Sequence, residues 1–153
     1  MNCPCHTGEQ YDDCCGRFIT QQSIPENAVQ LMRSRYSAYA LHEPEYLMKT
    51  WHPDHRPERV NTDSGLKWIN LTIHSSSKTG DEAKVNFEAV FISNGKVGHL
   101  HENSHFVREN GEWYYTYGEM LEPTQKSWKP DRSDPCPCGS ELKFKRCCGV
   151  KPD

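Results

Sequence analysis

The sequence predicts an α+β fold in which an antiparallel sheet packs on N-terminal helices between two small cysteine-rich ends. Three observations support this class of fold. Apolar residues recur at helical spacing before residue 52, they alternate with polar residues after residue 65, and all 8 cysteines lie near the termini. The 153 residues suffice for one domain with small appendages, since a domain usually contains ~100 to 200 residues.

The helical part is predicted over residues 25–51, with Ser23 or Pro25 as its expected start. Its apolar residues recur at three- and four-residue steps, which is the period of a helix with one buried face. Pro44 is expected to begin a second, shorter helix and Pro53 to end it, because proline lacks the N–H that a helix interior needs. Residues 54–64 carry many charges and are predicted to form a loop.

Four strands are predicted after residue 65, where the apolar period changes to two. The residues expected to share one face are Ile69, Leu71 and Ile73 in the first strand, Val85, Phe87, Ala89 and Phe91 in the second, Leu100, Glu102, Ser104 and Phe106 in the third, and Trp113, Tyr115 and Tyr117 in the fourth. Asn94-Gly95 and Asn110-Gly111 are typical of hairpin turns. The strands are therefore expected to form a meander that buries one face under the helices.

Composition and charge restrict the classes of function. The formal charge of −3 argues against bulk electrostatic binding to nucleic acid or to a membrane, and against a reader of DNA sequence. Residues 1–17 carry a net −2, whereas residues 126–151 carry seven Lys or Arg against three Asp or Glu, a net +4. No apolar run approaches the ~18 residues of a membrane span, and the first residues leave no room for a secretory signal. We expect a cytoplasmic protein without membrane insertion.

The cysteines form two copies of one pattern, C-P-C-x8-C-C-G. They are Cys3, Cys5, Cys14 and Cys15 in the first copy, and Cys136, Cys138, Cys147 and Cys148 in the second, each 133 positions later. A reducing compartment disfavours structural disulfides, and four thiolates match the tetrahedral shell of zinc. A closed four-sulfur shell leaves no open position, so the pattern predicts two structural zinc ions per chain.

The residues alone do not exclude alternatives to two local zinc sites. The adjacent Cys14 and Cys15 can form a strained vicinal disulfide, and redox chemistry or free thiols are further interpretations. One site can also mix cysteines from both ends. Local sets are favoured, because closing a loop of ~10 residues costs less entropy than closing one of ~130.

The C-terminal copy resembles a known motif. The stretches DPCPCGS, residues 134–140, and KFKRCCG, residues 143–149, are similar to the SEC-C motif, the zinc-binding tail element of the translocase ATPase SecA. In SecA-type versions the last ligand is commonly His, whereas this chain has Cys148. The N-terminal copy departs further, since His-Thr-Gly at 6–8 replaces the Gly-Ser turn and residues 9–13 replace the basic stretch. The resemblance implies metal binding at both ends, but a partner surface only at Lys143, Lys145 and Arg146.

Nearly the whole chain resembles the YchJ family of small bacterial SEC-C proteins. The resemblance rests on both cysteine segments and on residues 31–36, 46–53, 102–106 and 113–115. It implies a middle domain similar to nuclear transport factor 2, with a cone-like curved sheet wrapped around helices. The expected organisation is an N-terminal knuckle (residues 1–20), a middle domain (21–127) and a C-terminal knuckle (128–153).

A pocket is the other expectation for this cone. Its predicted lining is Arg33, Tyr36, Trp51, His52 and Glu102, in which His52 and Glu102 form a histidine–carboxylate pair at the mouth. The alternative is that His52 caps the second helix and Glu102 pairs with Arg33 or Arg35. The sequence contains no nucleotide-binding or hydrolase motif, so no catalytic residue is assigned.

Two further patterns are interpreted as structural. His99, His101 and His105 alternate on one strand, where their spacings of ~6.6 Å and ~13 Å from His101 are too wide for one ion, and a solvated polar face is expected. The aromatic stripe on the fourth strand is expected to be core rather than a base-stacking surface.

Two functions from different classes are carried forward. The first is a zinc-binding adaptor whose C-terminal knuckle contacts a macromolecule. SecA tails are associated with ribosomes and with the SecB chaperone, so the resemblance implies a ribosome/RNA or protein partner. The alternative is a small-molecule-binding or enzymatic cone in which the knuckles are purely structural. A third, structural interpretation is that zinc only fastens the termini.

Overall fold

The structure, a computed structural model, describes residues 1–62 and 65–150. Residues 63 and 64 of the predicted loop and residues 151–153 of the predicted C-terminal knuckle lie outside the described residues. The helices are α1 (Gly16–Ile19), α2 (Ala28–Ala40) and α3 (Pro44–Thr50). The strands are β1 (Lys67–Thr79), β2 (Glu82–Ser93), β3 (Lys96–Glu109) and β4 (Glu112–Leu121). Two 3-10 helices lie at Tyr11–Asp13 and Phe144–Arg146.

Helix α2 begins later than the sequence suggested. Asn27 has an extended backbone and its side-chain oxygen accepts a hydrogen bond from the N–H of Gln30 at 2.8 Å, which satisfies a donor of the first turn. The helical region then divides, because His42 has a φ of 58° and cannot continue a right-handed helix. Pro44 starts α3 as predicted, where its missing N–H costs nothing.

The α+β prediction is confirmed by the sheet. Its strands are antiparallel in the order β1-β2-β3-β4, which is a simple meander. Both predicted hairpin dipeptides form the turns, with φ values of 51° and 76° at Asn94 and Gly95 and of 53° and 80° at Asn110 and Gly111. Positive φ at both central residues matches the twist of the flanking strands.

One face of the sheet, the inner face, packs on α2. Its core joins Leu31, Met32 and Tyr36 of the helix to Leu71, Val85, Phe87, Phe106 and Trp113 of the four strands. The predicted division between a buried and a polar face is therefore correct for most positions.

Two predicted core residues lie on the opposite, outer face because the strands contain bulges. The register shifts between Trp68 and Asn70, and Ile69 consequently packs on the outer face against Val90 and Val97. A second shift between β3 and β4 turns Tyr117 outward, where it is 49% exposed and stacks on a histidine ring. A bulge adds one residue to one strand, and so reverses the alternation beyond it.

The chain after β4 returns over the outer face. The N–H of Val97 donates to the carbonyl of Trp128 at 2.7 Å, and the N–H of Trp128 donates back at 3.0 Å. The Trp128 ring then covers the apolar patch around Ile69 and Val90. Among the described helices, none is both long and apolar enough to cross a membrane.

Candidate functional site

The N-terminal knuckle brings four sulfur atoms together. The Sγ atoms of Cys3, Cys5, Cys14 and Cys15 lie within 4.8 Å of one another, and all four residues are buried. The N–H of Cys3 donates to the carbonyl of Glu9 at 2.9 Å, which closes the turn that carries the first two thiols. Cys14 and Cys15 are free thiols with their sulfurs 4.0 Å apart, so the vicinal disulfide is not formed.

The C-terminal knuckle repeats this geometry 133 residues later. The Sγ atoms of Cys136, Cys138, Cys147 and Cys148 also lie within 4.8 Å of one another. The N–H of Cys136 donates to the carbonyl of Leu142 at 2.8 Å, which corresponds to the bond from Cys3 to Glu9. Each group of four thiols can hold one metal ion, and each uses cysteines from one end only. A site of mixed ligands is therefore not formed.

The sequence differences between the knuckles leave the turn unchanged. His6 has a φ of 64°, and Gly139 at the corresponding position has a φ of 85°. At the next hydroxyl position, Thr7 lies 3.3 Å from Cys14 Sγ and Ser140 donates to Cys147 Sγ at 3.2 Å. The same backbone and the same hydroxyl contact thus arise from different residues, and the frame for the thiols is common to both ends.

The glycine after each cysteine pair is required by close packing. A Cβ at Gly16 would lie 2.7 Å from the carbonyl oxygen of Tyr11, and one at Gly149 would lie 2.6 Å from the ring of Phe144. Tyr11 and Phe144 begin the two 3-10 helices, so each aromatic residue closes its knuckle over the glycine.

The thiols influence one another's ionisation, as expected of a cluster that exchanges protons for a metal. Hydrogen bonds from Cys15 and Cys5 hold the pKa of Cys3 well below its usual range, and the bond to Cys3 raises the pKa of Cys15. Burial raises the pKa of Cys138, but hydrogen bonds from Ser140 outweigh it and bring the pKa to about 7. Thiolates are the form that binds a metal ion, so these contacts favour coordination at Cys3 and Cys138, whereas Cys15 has to lose its proton to the incoming ion.

The two knuckles differ in their surroundings. The N-terminal knuckle belongs to the main core, where Arg33 donates to the carbonyl of Cys5 at 2.8 Å and Ser37 lies 3.7 Å from Cys3 Sγ. The C-terminal knuckle packs instead on the outer face of the sheet, beside the Trp128 patch. Within it, Lys143 and Arg146 are exposed and Lys145 is half-buried.

A cavity of about 260 Å³ lies between α2 and the inner face of the sheet. Its walls are formed by Met32, Arg35, Tyr36, Tyr39, Trp51, Trp68, Phe87, Ala89, Leu100, Glu102, Ser104, Phe106 and Tyr115. Of the residues assigned to a pocket from sequence, Tyr36, Trp51 and Glu102 lie in this wall. Arg33 lies at the N-terminal knuckle instead, and His52 lies outside the wall with its Nε2 atom 2.9 Å from Glu109 Oε1.

The expected His52–Glu102 pair is therefore replaced by two separate contacts. His52 pairs with Glu109 at the end of β3. The parallel bridge between Trp51 and Tyr115 brings residue 52 to this part of the sheet, and the sequence alone does not indicate that bridge. Glu102 accepts a hydrogen bond from Ser104 inside the cavity. Neither Arg33 nor Arg35 forms a salt bridge with Glu102 in the described part of the chain.

Arg35 is a cavity residue that the sequence reasoning missed. It is 5% exposed, and its Nη1 atom donates to the carbonyl of Leu47 at 2.8 Å and to Thr50 Oγ1 at 2.7 Å. Its guanidinium lies over the rings of Trp51 and Tyr115, at 5.0 and 4.5 Å from their centroids. The sequence did contain a signal for its burial, because Arg35 lies four residues after Leu31 and therefore on the apolar face of α2.

Two further groups in the cavity carry a cost of burial. Burial raises the pKa of Glu102, against the smaller lowering effects of Ser104 and Arg35. The hydroxyl of Tyr36 is buried and has no hydrogen-bond partner among the described residues. Buried polar groups normally find partners, so the Tyr36 hydroxyl, and the Glu102 carboxylate with Ser104 as its hydrogen-bond donor, are candidates for contact with a ligand.

The histidines of β3 are not a solvated face. The side chains of His99 and His105 are 10% and 15% exposed, and each pairs with a carboxylate, Glu88 and Glu119 respectively. The ring of His105 also stacks on Tyr117 at 4.2 Å. The prediction of a solvated face is wrong because residues from neighbouring strands and from the returning chain cover these rings.

Comparison with known proteins agrees with this architecture. Residues 27–118 match the family model for the middle, NTF2-like domain of YchJ, and residues 132–149 match the SEC-C motif. A UPF0225 protein of Enterobacter sp. (strain 638) is 40% identical over 154 residues, which cover 96% of this chain and 97% of the relative. A UPF0225 protein of Sodalis glossinidius (strain morsitans) is 39% identical over 155 residues, 95% of this chain and 96% of the relative.

Two solved structures are similar. The solution structure of a SEC-C motif containing protein from Rhodopseudomonas palustris has a TM-score of 0.73 and 34% identity, covering 80% of this chain and all 100% of that one. The crystal structure of a SEC-C motif containing protein from Psychrobacter arcticus has a TM-score of 0.61 and 30% identity, covering 98% and 96%. The fold and the cysteine groups thus define a SEC-C protein built on an NTF2-like domain. The chain belongs to the YchJ family, also designated UPF0225.

The different surroundings of the knuckles predict different effects of cysteine loss. Cys5 is fully buried in the main core, so Cys5→Ser should lower the free energy of unfolding of the whole domain by more than ~3 kcal/mol. Cys138→Ser should unfold only the C-terminal knuckle and leave the main transition nearly unchanged. Urea unfolding followed by tryptophan fluorescence and far-UV circular dichroism measures both effects. Equal losses in the two variants would contradict this assignment.

Proposed function

We propose that this protein is a zinc-binding adaptor whose C-terminal knuckle contacts an anionic macromolecular partner. The observation that carries the proposal is the contrast between two knuckles of one geometry. The cysteines of the N-terminal copy are buried in the main core, and its 3-10 helix carries the exposed Asp12 and Asp13. The C-terminal copy lies on the outer face of the sheet and has Lys145 and Arg146 at the corresponding positions. A frame that only fastened a terminus would not require this difference.

Apolar residues extend the cationic surface. Leu142 and Val150 are 52% and 60% exposed, and they lie at the two ends of the segment that carries Lys143 and Arg146. A compact turn held by metal presents these side chains with little loss of conformational freedom on binding. The surface is cationic, so an acidic protein surface and RNA are both suitable anionic partners.

Zinc is the proposed metal. Four thiolates at one site are the donor set of structural zinc, and thiolate ligands disfavour magnesium and calcium. The similarity of residues 132–149 to the SEC-C motif supports the same assignment. With all four positions filled by sulfur, the ion has no place for a substrate, so its proposed role is to hold the knuckle's shape.

We expect two zinc equivalents per chain, because each end has its own complete set of four sulfurs. Inductively coupled plasma mass spectrometry on protein purified without added metal, with all 8 thiols reduced, measures the content. Cys138→Ser should retain one equivalent, that of the N-terminal knuckle. A wild-type content well below one equivalent, or a dominant metal other than zinc, would contradict the assignment.

Charge reversal at the C-terminal knuckle tests the adaptor role. The variant Lys143→Glu, Lys145→Glu, Arg146→Glu should weaken capture of an anionic partner by ~10-fold or more, because attraction is replaced by repulsion. Acidic ribosomal proteins and total RNA, each isolated from a lysate, serve as the two probes in separate pull-down experiments. Binding by wild type should also weaken as salt rises, since exposed charges are screened over ~8 to 10 Å.

The matched control is Asp12→Lys, Asp13→Lys, which reverses charge at the corresponding positions of the N-terminal knuckle. It should leave capture unchanged. If the C-terminal triple variant also captures its partner with unchanged affinity while its zinc content is intact, the adaptor proposal fails.

A second candidate function is binding of a small molecule in the central cavity. The observation that favours it is a buried Arg35 and a half-buried Glu102 that face one aromatic cavity without a salt bridge between them in the described residues. The aromatic walls suit a planar ligand, with an acceptor toward Arg35 and a donor toward Glu102. The unpartnered hydroxyl of Tyr36 would provide a further contact.

The cost of keeping Glu102 in the cavity can be measured. Because burial raises its pKa, the folded state holds this proton more tightly than the unfolded state, and stability falls as pH rises through the folded pKa. Glu102→Gln should therefore melt at a higher temperature than wild type at pH 7, with the difference vanishing below pH ~4. Glu82→Gln, exposed at the start of β2, is the control. A less stable Glu102→Gln at pH 7 would make Glu102 a structural partner of Arg35 and would contradict the cavity candidate.

A further inference from the structure

The outer face of the sheet contains a buried carboxylate, Glu88 in the middle of β2. Glu88 is 4% exposed, although its face is the one turned away from the main core. Charged groups are rarely buried to this extent unless they are paired or bind a metal. Neither the cysteine groups nor the cavity makes use of this residue.

The two oxygens of Glu88 have different surroundings. Oε2 accepts a 2.6 Å hydrogen bond from Thr124 Oγ1 and a 3.3 Å bond from Thr124 N–H, and it lies 3.0 Å from His99 Nδ1. Oε1 lies 3.2 Å from His74 Nε2. Three donors thus fix the carboxylate through one oxygen and leave the other directed at an imidazole. Outer contacts of this kind orient the carboxylate ligands of metal ions.

A second imidazole approaches from β3. His101 Nδ1 lies 2.9 Å from the backbone carbonyl oxygen of Glu122, which can only accept, so Nδ1 carries the proton. In the neutral ring the lone pair is then on Nε2. Asn86 Oδ1 lies 2.8 Å from this atom and is also an acceptor, so the Asn86 side chain has to rotate away before Nε2 can bind a metal ion. A histidine that donates one N–H to a backbone carbonyl and presents its other nitrogen is the usual arrangement of a metal ligand.

Strand register brings these three side chains to one place. His101 lies directly opposite Glu88 in the pairing of β3 with β2, and His74 lies at the β1 irregularity between Ile73 and Ser75. The three ligand atoms lie within 4.8 Å of one another. A tetrahedral shell with bonds of ~2.0 to 2.1 Å separates its ligand atoms by ~3.4 Å, so closing this shell needs side-chain shifts of only ~1 Å.

We propose that His74, Glu88 and His101 form a third metal site, distinct from the two cysteine groups, for a first-row divalent transition metal ion. Two imidazoles and one carboxylate are a donor set for zinc, cobalt, nickel and iron, and they leave coordination positions open for water or a small ligand. Two of the three residues, His74 and Glu88, lie on the wall of a groove of about 420 Å³ between the sheet and the returning chain, which Thr72, Gln125 and Trp128 also line. A ligand therefore has a route to the open positions.

Titration with cobalt tests the site. The full chain is first loaded with two equivalents of zinc, because the thiolate sites retain zinc against cobalt, and Co²⁺ is then followed by calorimetry and visible absorption. We expect one further equivalent, with a spectrum that lacks the strong charge-transfer bands of thiolate coordination. His74→Ala and His101→Ala should each weaken this binding by ~10-fold or more.

The controls separate this site from other histidines. His105→Ala removes an imidazole from the same strand face, one that pairs with Glu119, and it should retain the further equivalent. The side chain of His74 is 39% exposed, so its replacement leaves the fold intact, as circular dichroism will check. Binding of no further cobalt by wild type would overturn the proposal. So would unchanged affinity in the double variant His74→Ala, His101→Ala with its zinc content still at two.

Discussion

The convergence of four thiols at each end is the constraint on which both termini depend. A segment of ~20 residues cannot bury enough apolar surface to fold alone, so its shape has to come from a metal or from the domain beside it. Positive φ at His6 and Gly139, and the tight packing over Gly16 and Gly149, show how closely the backbone follows from this requirement. The two copies differ in residue type at positions such as 6 and 139, or 7 and 140, but the backbone conformation and the hydroxyl contact to sulfur are the same in both.

From this common frame the two copies have been placed in opposite environments. The N-terminal copy has become part of the core that α2 shares with the sheet, and Arg33 is used to anchor it rather than to line the cavity. The C-terminal copy lies on the outer face, held by Trp128 and by a bond from Asn70 to the carbonyl of Pro137 at 3.3 Å. Both copies leave charged side chains of the variable positions at the surface, but these are acidic in the first copy and basic in the second, which is why the adaptor proposal concerns the C-terminal end.

Sequence patterns predicted what depends on local periodicity. The helical region, the four strands, both hairpin turns and the two cysteine sets all follow from spacing and turn chemistry. The pattern could not predict Ile69 and Tyr117 on the outer face, because bulges arise from contacts between strands rather than from the residues themselves. For the same reason the pairing of His52 with Glu109, and the meeting of His74 with Glu88, required the three-dimensional register.

Two carboxylates on opposite faces of one sheet illustrate how surroundings decide the role of a residue type. Burial raises the pKa of Glu102, since Ser104 and Arg35 compensate only in part. Burial acts on Glu88 in the same direction, but hydrogen bonds from Thr124 and His74 outweigh it and lower the pKa. Glu88 is thus held as an anion by fixed donors, as suits a ligand of a cation, whereas Glu102 is kept short of partners in an aromatic cavity. A carboxylate in that condition gains most from a molecule that supplies the missing hydrogen bonds.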